Sequence, residues 1–214
     1  LTNYMVHVSN EPEWGISPLE LDVCTGDEVN LEVVVEGQEY VLAPSVDFGG
    51  GLFIPDQVGE CFTSELTFTQ FIPGQTIDDA STAMEELFMN FEHSYMGDLT
   101  VSFICPNGQS VQVHNQGGFG TFLGIPVDDD ADPNTPGVGF DYSWSPDATN
   151  GTWVDNAGVG TLPAGTYESF QPFSNLDGCP LNGVWQIEIC DLLGFDNGFV
   201  FDWSIQFADS LYPV

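Results

Sequence analysis

The chain has 214 residues, of which 33 are Asp or Glu, 3 are His and none is Lys or Arg, giving a formal charge of −33. Without a basic side chain it cannot neutralise nucleic-acid phosphates, settle on an anionic membrane surface, form a Schiff base or clamp a phosphoryl group with Arg. Hydrophobic residues still make up 42% and include 17 Phe, enough for a packed core despite the charge, and no apolar run approaches the ~18 residues of a membrane span. The carboxylates have no Lys or Arg partner in the chain, so their mutual repulsion must be relieved by spacing, salt or bound cations.

Leu1–Ser9 alternates through Tyr4, Val6 and Val8, the pattern of a strand that a neighbouring sheet edge could accept. Cys24–Leu31 leads into a strand over Val29–Val35, and Gly49, Gly50 and Gly51 mark the expected boundary between an N-terminal β segment (1–50) and a main domain (51–214). Alternation returns in Leu66–Phe71. The stretch Asp79–Tyr95 carries two conflicting patterns. Met84, Leu87, Phe88, Phe91 and Tyr95 recur at helical spacing behind Asp79 as a cap, whereas Leu87, Met89 and Phe91 alternate as in a strand. Leu99–Phe103 alternates again and meets the turn Pro106-Asn107-Gly108. Residues 114–160 show little periodicity and read as a long, Gly/Pro-rich loop region. Strands are expected again over Val184–Ile189 and Phe199–Ile205. The sum is an all-β chain, sandwich or barrel.

Five cysteines, at positions 24, 61, 105, 179 and 190, lack zinc-ligand spacing. In so acidic and Pro/Gly-rich a chain they point to an oxidising setting, with two disulfides and one odd thiol. Cys105 and Cys179, each followed by Pro, are the expected pair.

Several phrases stand in a telling order: His93-Ser94-Tyr95-Met96-Gly97-Asp98-Leu99, Cys105-Pro106-Asn107-Gly108, Gly183-Val184-Trp185, Asp191, Asp196, Gly198 and Trp203-Ser204-Ile205-Gln206-Phe207. From roughly Phe53 to Phe207 the chain resembles the P domain that accompanies subtilisin-like proprotein convertases. Ile54-Pro55-Asp56, Gly118–Gly124 and Gly178–Gly183 are similar to the P-domain variety of Bacteroidetes surface and secreted proteins. There a phrase like Cys24–Leu31 belongs to an immunoglobulin-like module. The resemblance implies a jelly-roll-like β-sandwich of the P-domain, galactose-binding-like kind, an extracellular location, often bound calcium, and no catalytic residues. It also implies a strand immediately before His93, which decides Asp79–Tyr95 in favour of strand.

Candidate sites follow. Asp128, Asp130 and Asp132 sit at alternate positions in a Pro/Gly-rich loop, a spacing that can offer several oxygens to calcium. Pro133 and Gly139 replace the Gly and the bidentate Glu of an EF-hand, so this is not one. Asp98, Asp191 and Asp196 fall beside turns, where they either cap backbone N–H groups or gather round a second cation. His93 beside Ser94 invites a triad reading, but no G-x-S-x-G phrase accompanies it. Trp144 and Trp153, near Tyr142 and Phe140, are candidate sugar-stacking rings. The expected function is a non-catalytic, calcium-stabilised structural or binding module of a secreted or cell-surface protein. Its partners are calcium, other extracellular proteins or copies of itself, and polysaccharide, with no nucleic acid and no membrane insertion. The alternatives are a filament subunit assembled by strand donation and the accessory P domain of a secreted subtilisin-like protease.

Overall fold

Strand alternation becomes sheet architecture once each inward row finds a facing row. The computed structural model describes residues 13–17, 32–36, 44–56, 60–127, 134–158 and 160–212. The chain divides into two compact units, Leu1–Leu42 with Val214, and Ala43–Pro213. In the first, β1 (Glu13–Ser17) pairs antiparallel with β2 (Glu32–Glu36), Trp14 opposite Val35 and Ile16 opposite Val33. The candidate donor strand Leu1–Ser9 and Cys24 lie outside the described residues.

The second unit is a β-sandwich. It runs through β3 (Ser45–Phe53), β4 (Cys61–Phe68), a single helical turn α1 (Ala80–Ala83), β5 (Met84–His93), β6 (Leu99–Ile104), β7 (Ser110–Asn115), β8 (Phe122–Leu123) and β9 (Phe140–Trp144). It ends with β10 (Thr161–Leu162), β11 (Gly165–Tyr167), β12 (Gly183–Asp191) and β13 (Gly198–Phe207). One sheet has the order β10-β8-β5-β13-β3, with β9 also on β5 and β11 on β9; the other is β4-β12-β6-β7.

Large aromatics fill the space between the sheets. Phe103 of β6 packs against Trp144 and Trp203 across the core at 6.1 and 6.0 Å between ring centres. Trp185 of β12 meets Phe207 at 5.4 Å. The Trp203 indole N–H donates to Ser64 Oγ of β4 at 2.9 Å, so this ring is tied to the opposite sheet at its polar end as well.

The structure settles Asp79–Tyr95 as strand, with a remnant of the helical pattern. Asp79 Oδ1 accepts the Ser81 N–H at 2.9 Å and caps α1, which stops after four residues. From Met84 the chain is extended, and Leu87, Met89 and Phe91 are wholly buried. Pairing with β13 on one side and β9 on the other outweighs the helical stripe.

Two expectations are corrected. The glycines at 49–51 mark no domain boundary, because they lie inside β3, which pairs with β13 from Ser45 opposite Ser204 to Phe53 opposite Phe199. Between these pairs the register shifts around Phe201, and the glycines serve the resulting bulge. Gly51 has φ +88, and a Cβ there would lie 2.9 Å from the Phe201 ring. The sandwich thus begins at about residue 43 rather than 51. Residues 114–160, in turn, are no uniform loop. They contain β8 and β9, and β9 buries Tyr142 and Trp144 along the full inner stretch of β5.

Two disulfides close the sandwich, Cys105–Cys179 as expected and Cys61–Cys190. Cys61 and Cys190 are direct cross-strand partners of β4 and β12, with Cα atoms 4.3 Å apart. Replacing Cys105 and Cys179 together by Ser should lower the unfolding free energy by about 2–4 kcal/mol, read as a shift of the guanidinium midpoint with little change in slope.

Candidate functional site

The ends of β5 and β12 and the starts of β6 and β13 meet at one end of the sandwich, and acidic side chains collect there. His93, the last residue of β5, is fully buried; its Nε2–H donates to Asp191 Oδ2 at 3.2 Å. The Tyr95 N–H donates to Nδ1 at 3.1 Å, so a ring protonated on Nε2 satisfies both contacts. Asp191 Oδ1 accepts the Leu193 N–H at 3.3 Å. Asp98 closes a 3-10 turn, Met96–Asp98, and its carbonyl accepts the Leu192 N–H at 3.2 Å. Asp56 Oδ2 accepts the Phe195 N–H at 3.1 Å. The Ser94 hydroxyl oxygen accepts the Asn197 N–H at 3.1 Å, which binds the start of β13 to the end of β5.

Burial dominates the electrostatics here. It pushes the Asp98 carboxyl above its ordinary range, with Asp191 adding to the rise and His93 opposing it. Asp196 is pushed up to about 6, first by burial; His93 opposes, and Asp191, Asp98 and Asp56 add repulsion. The sequence candidates Asp98, Asp191 and Asp196 therefore share one electrostatic neighbourhood, joined by Asp56, which sequence reasoning had not singled out as a ligand. Both proposed roles are visible in part, since Asp191 does accept a turn N–H. Among the described residues, however, no three His, Cys, Asp or Glu side chains converge closely enough to hold a metal ion. Asp128, Asp130 and Asp132 lie outside the described residues.

Trp144 and Trp153 are corrected as sugar-stacking rings. Both are 0% exposed, packed on each other at 4.9 Å, with Tyr142 and His114 against Trp153 at 5.1 and 5.0 Å. They close the core beneath the connections around β9 and present no face to a ligand. His114 donates from Nε2 to the Met96 carbonyl at 3.0 Å, and burial pulls its pKa down to about 4.

Glu92 is the group that sequence reasoning missed. It alternates with the inward Phe91, so pattern places it outward, yet it is 0% exposed. The chain folds over it: Gly124, at φ +62, lies where a Cβ would come 2.7 Å from the Glu92 Cβ, and the Gly137 N–H donates to Oε1 at 3.0 Å. Oε2 has no hydrogen-bond partner among the described residues. Burial pushes the carboxyl up to about 7, partly offset by the Gly137 hydrogen bond and by His93.

A second acidic row crosses the sheet that contains β3, β13, β5 and β9. Asp202 of β13 stands opposite Asp47 of β3 and Asn90 of β5, and Asn90 Nδ2 donates to Asp141 Oδ1 of β9 at 2.7 Å. Burial raises the Asp202 carboxyl, and Asp141 and Asp47 raise it further.

These shifts fix the sign of the pH response. A carboxyl raised in the folded state binds its proton more readily there than in the unfolded chain, so stability falls as pH rises from the ordinary carboxylate range through the folded value. For Glu92 and Asp196 that window runs from about 4 to about 7. Glu92→Gln, which keeps the acceptor for Gly137, should raise stability at pH 8 by on the order of 2 kcal/mol and leave it nearly unchanged at pH 4. Thermal unfolding of both proteins across that range is the check.

Two facing β-sheets with acidic side chains gathered at one end define the class: a β-sandwich module. A family model for the proprotein convertase P-domain matches residues 86–207, from β5 to the end of β13. The chain belongs to the proprotein convertase P-domain family, whose members are non-catalytic accessory domains of proprotein convertase-like proteins. No curated protein matches the sequence.

Proposed function

We propose that this chain is a non-catalytic, extracellular structural and binding module whose acidic end is stabilised by calcium. The observation that carries it is the gathering of Asp56, Asp98, Asp191 and Asp196 at one end, around His93. Two disulfides and a family of accessory domains support an oxidising, extracellular setting. No described helix is long and apolar enough to cross a membrane.

Oxygen-only donors suit a hard cation such as calcium. The side chains stand apart rather than in a finished ligand set, so the reading rests on charge and donor chemistry. A bound cation would do what Lys and Arg do elsewhere: neutralise carboxylates that burial has already made costly to ionise.

Thermal unfolding in calcium and in excess EDTA, at equal ionic strength, tests this. With calcium near 100 times its dissociation constant, the midpoint should rise by roughly 5–10 °C. Asp196→Asn should raise the midpoint in EDTA and shrink the calcium increment. Equal midpoints in calcium and EDTA would overturn the calcium reading.

A further inference from the structure

Beside the acidic end an apolar groove of about 720 Å³ opens, lined among others by Gly118, Phe119, Gly120, Phe122, Val154 and Ala157. Phe119 is 82% exposed and Val154 44%. Isolated exposed apolar residues need no explanation, but these share one concave surface.

The backbone makes Phe119 harder to explain as a folding residue. It sits at φ +51, in the left-handed region that penalises a bulky side chain, directly after Gly117 and Gly118 at φ +99 and +84. What the fold uses at this position is the main chain: the Phe119 carbonyl accepts the Gly97 N–H at 3.0 Å. Gly118 is favoured by its own φ of +84, and a Cβ there would come 3.1 Å from the Ala157 Cβ. A glycine at 119 would serve the same turn without strain. The chain instead holds a phenyl ring out over the groove.

Charge decides the occupant. On one side of the groove Asp155 follows Val154, its Oδ2 fixed by the Thr152 N–H at 2.9 Å and the Thr152 hydroxyl at 2.8 Å. These hydrogen bonds hold its carboxyl below the ordinary range, so it is ionised at neutral pH. On the other side the Gly97 N–H holds the Phe119 carbonyl, and the chain as a whole carries 33 acidic residues without a Lys or Arg. A second copy of the chain would bring the same acids, a charge of −33 and no cation to meet them. A segment with an apolar residue between basic ones complements both the groove and its rim.

We infer that this groove docks an apolar residue flanked by Lys or Arg, in an extended segment of another extracellular protein, with Phe119 as the ring it packs against. The inference rests on the chain being a binding module but not on calcium, so the EDTA experiment above can fail while this one succeeds.

The test uses three labelled hexapeptides at physiological salt: Leu-Phe between pairs of Lys, Ser-Ser between pairs of Lys, and Leu-Phe between pairs of Glu. Fluorescence anisotropy should show the first binding the whole chain most tightly. Phe119→Gly should weaken that peptide about tenfold and leave the Ser-Ser peptide unchanged, while thermal stability stays level or rises because the strain is relieved. Equal affinity of wild type and Phe119→Gly for the first peptide would overturn the inference, as would equal binding of the Leu-Phe and Ser-Ser peptides. Tight binding of the Glu-flanked peptide would remove the charge argument. A dimer in sedimentation that Phe119→Gly dissolves would assign the groove to a second copy instead.

Discussion

No carboxylate in this chain has a lysine or arginine to face it, and the arrangement of the sandwich reflects how the described ones are accommodated. At exposed turns the solution is hydrogen bonding: Asp79 accepts from Ser81, Asp155 from Thr152, and both carboxyls are held below the ordinary range. Asp177 accepts the Ala80 N–H at 2.8 Å and ties the turn before β12 to α1. Where carboxyls are partly covered and close to one another, as at Asp98, Asp196 and Asp202, burial and like charge push the other way. The molecule thus replaces ion pairs by hydrogen-bond donors at its exposed turns, and accumulates electrostatic tension at one end where carboxyls are covered and crowded.

The apolar interior carries the fold against that tension. Four Trp side chains (144, 153, 185 and 203) are fully buried, and at two of them the polar edge sets orientation as well. Trp185 donates to the Leu181 carbonyl at 3.1 Å and Trp203 to Ser64, each fixing a strand to a neighbouring segment. Tyr142 works in the same way: its hydroxyl accepts the Gly124 N–H at 2.8 Å and donates to the Leu162 carbonyl at 3.0 Å, joining β8, β9 and β10 at one buried point.

How much of this could be read from sequence depended on the length of the signal and on how local its partners are. β6, β12 and β13 were legible because large inward residues alternate over whole strands. β3 was not, because its glycines resemble a linker until the bulge opposite Phe201 is seen. β9 is only five residues long, between Gly- and Pro-rich segments, and offers no window for periodicity. The tryptophans at 144 and 153 looked like surface rings because His114 and Tyr142, which enclose them, are distant or unremarkable in sequence. The resemblance brought Asp98, Asp191 and Asp196 into view together. Glu92 carried no such signal, since its burial comes from backbone at Gly124 and Gly137 rather than from its own strand.

β12 is held at both ends by sulfur: Cys190 joins it to the start of β4, and Cys179, just before it, joins the β6–β7 turn. Pulling on the chain from either side would therefore load the Cys61–Cys190 bond rather than the hydrogen bonds between them. The enclosed strands β4 to β12 would be shielded from the force path. Of the sandwich strands described, β3 and β13 would peel away, and their register is already interrupted by the bulge. In an oxidising medium the module would behave under tension as a short extensible link around an inextensible core; in a reducing one, the whole sandwich would become part of the spring.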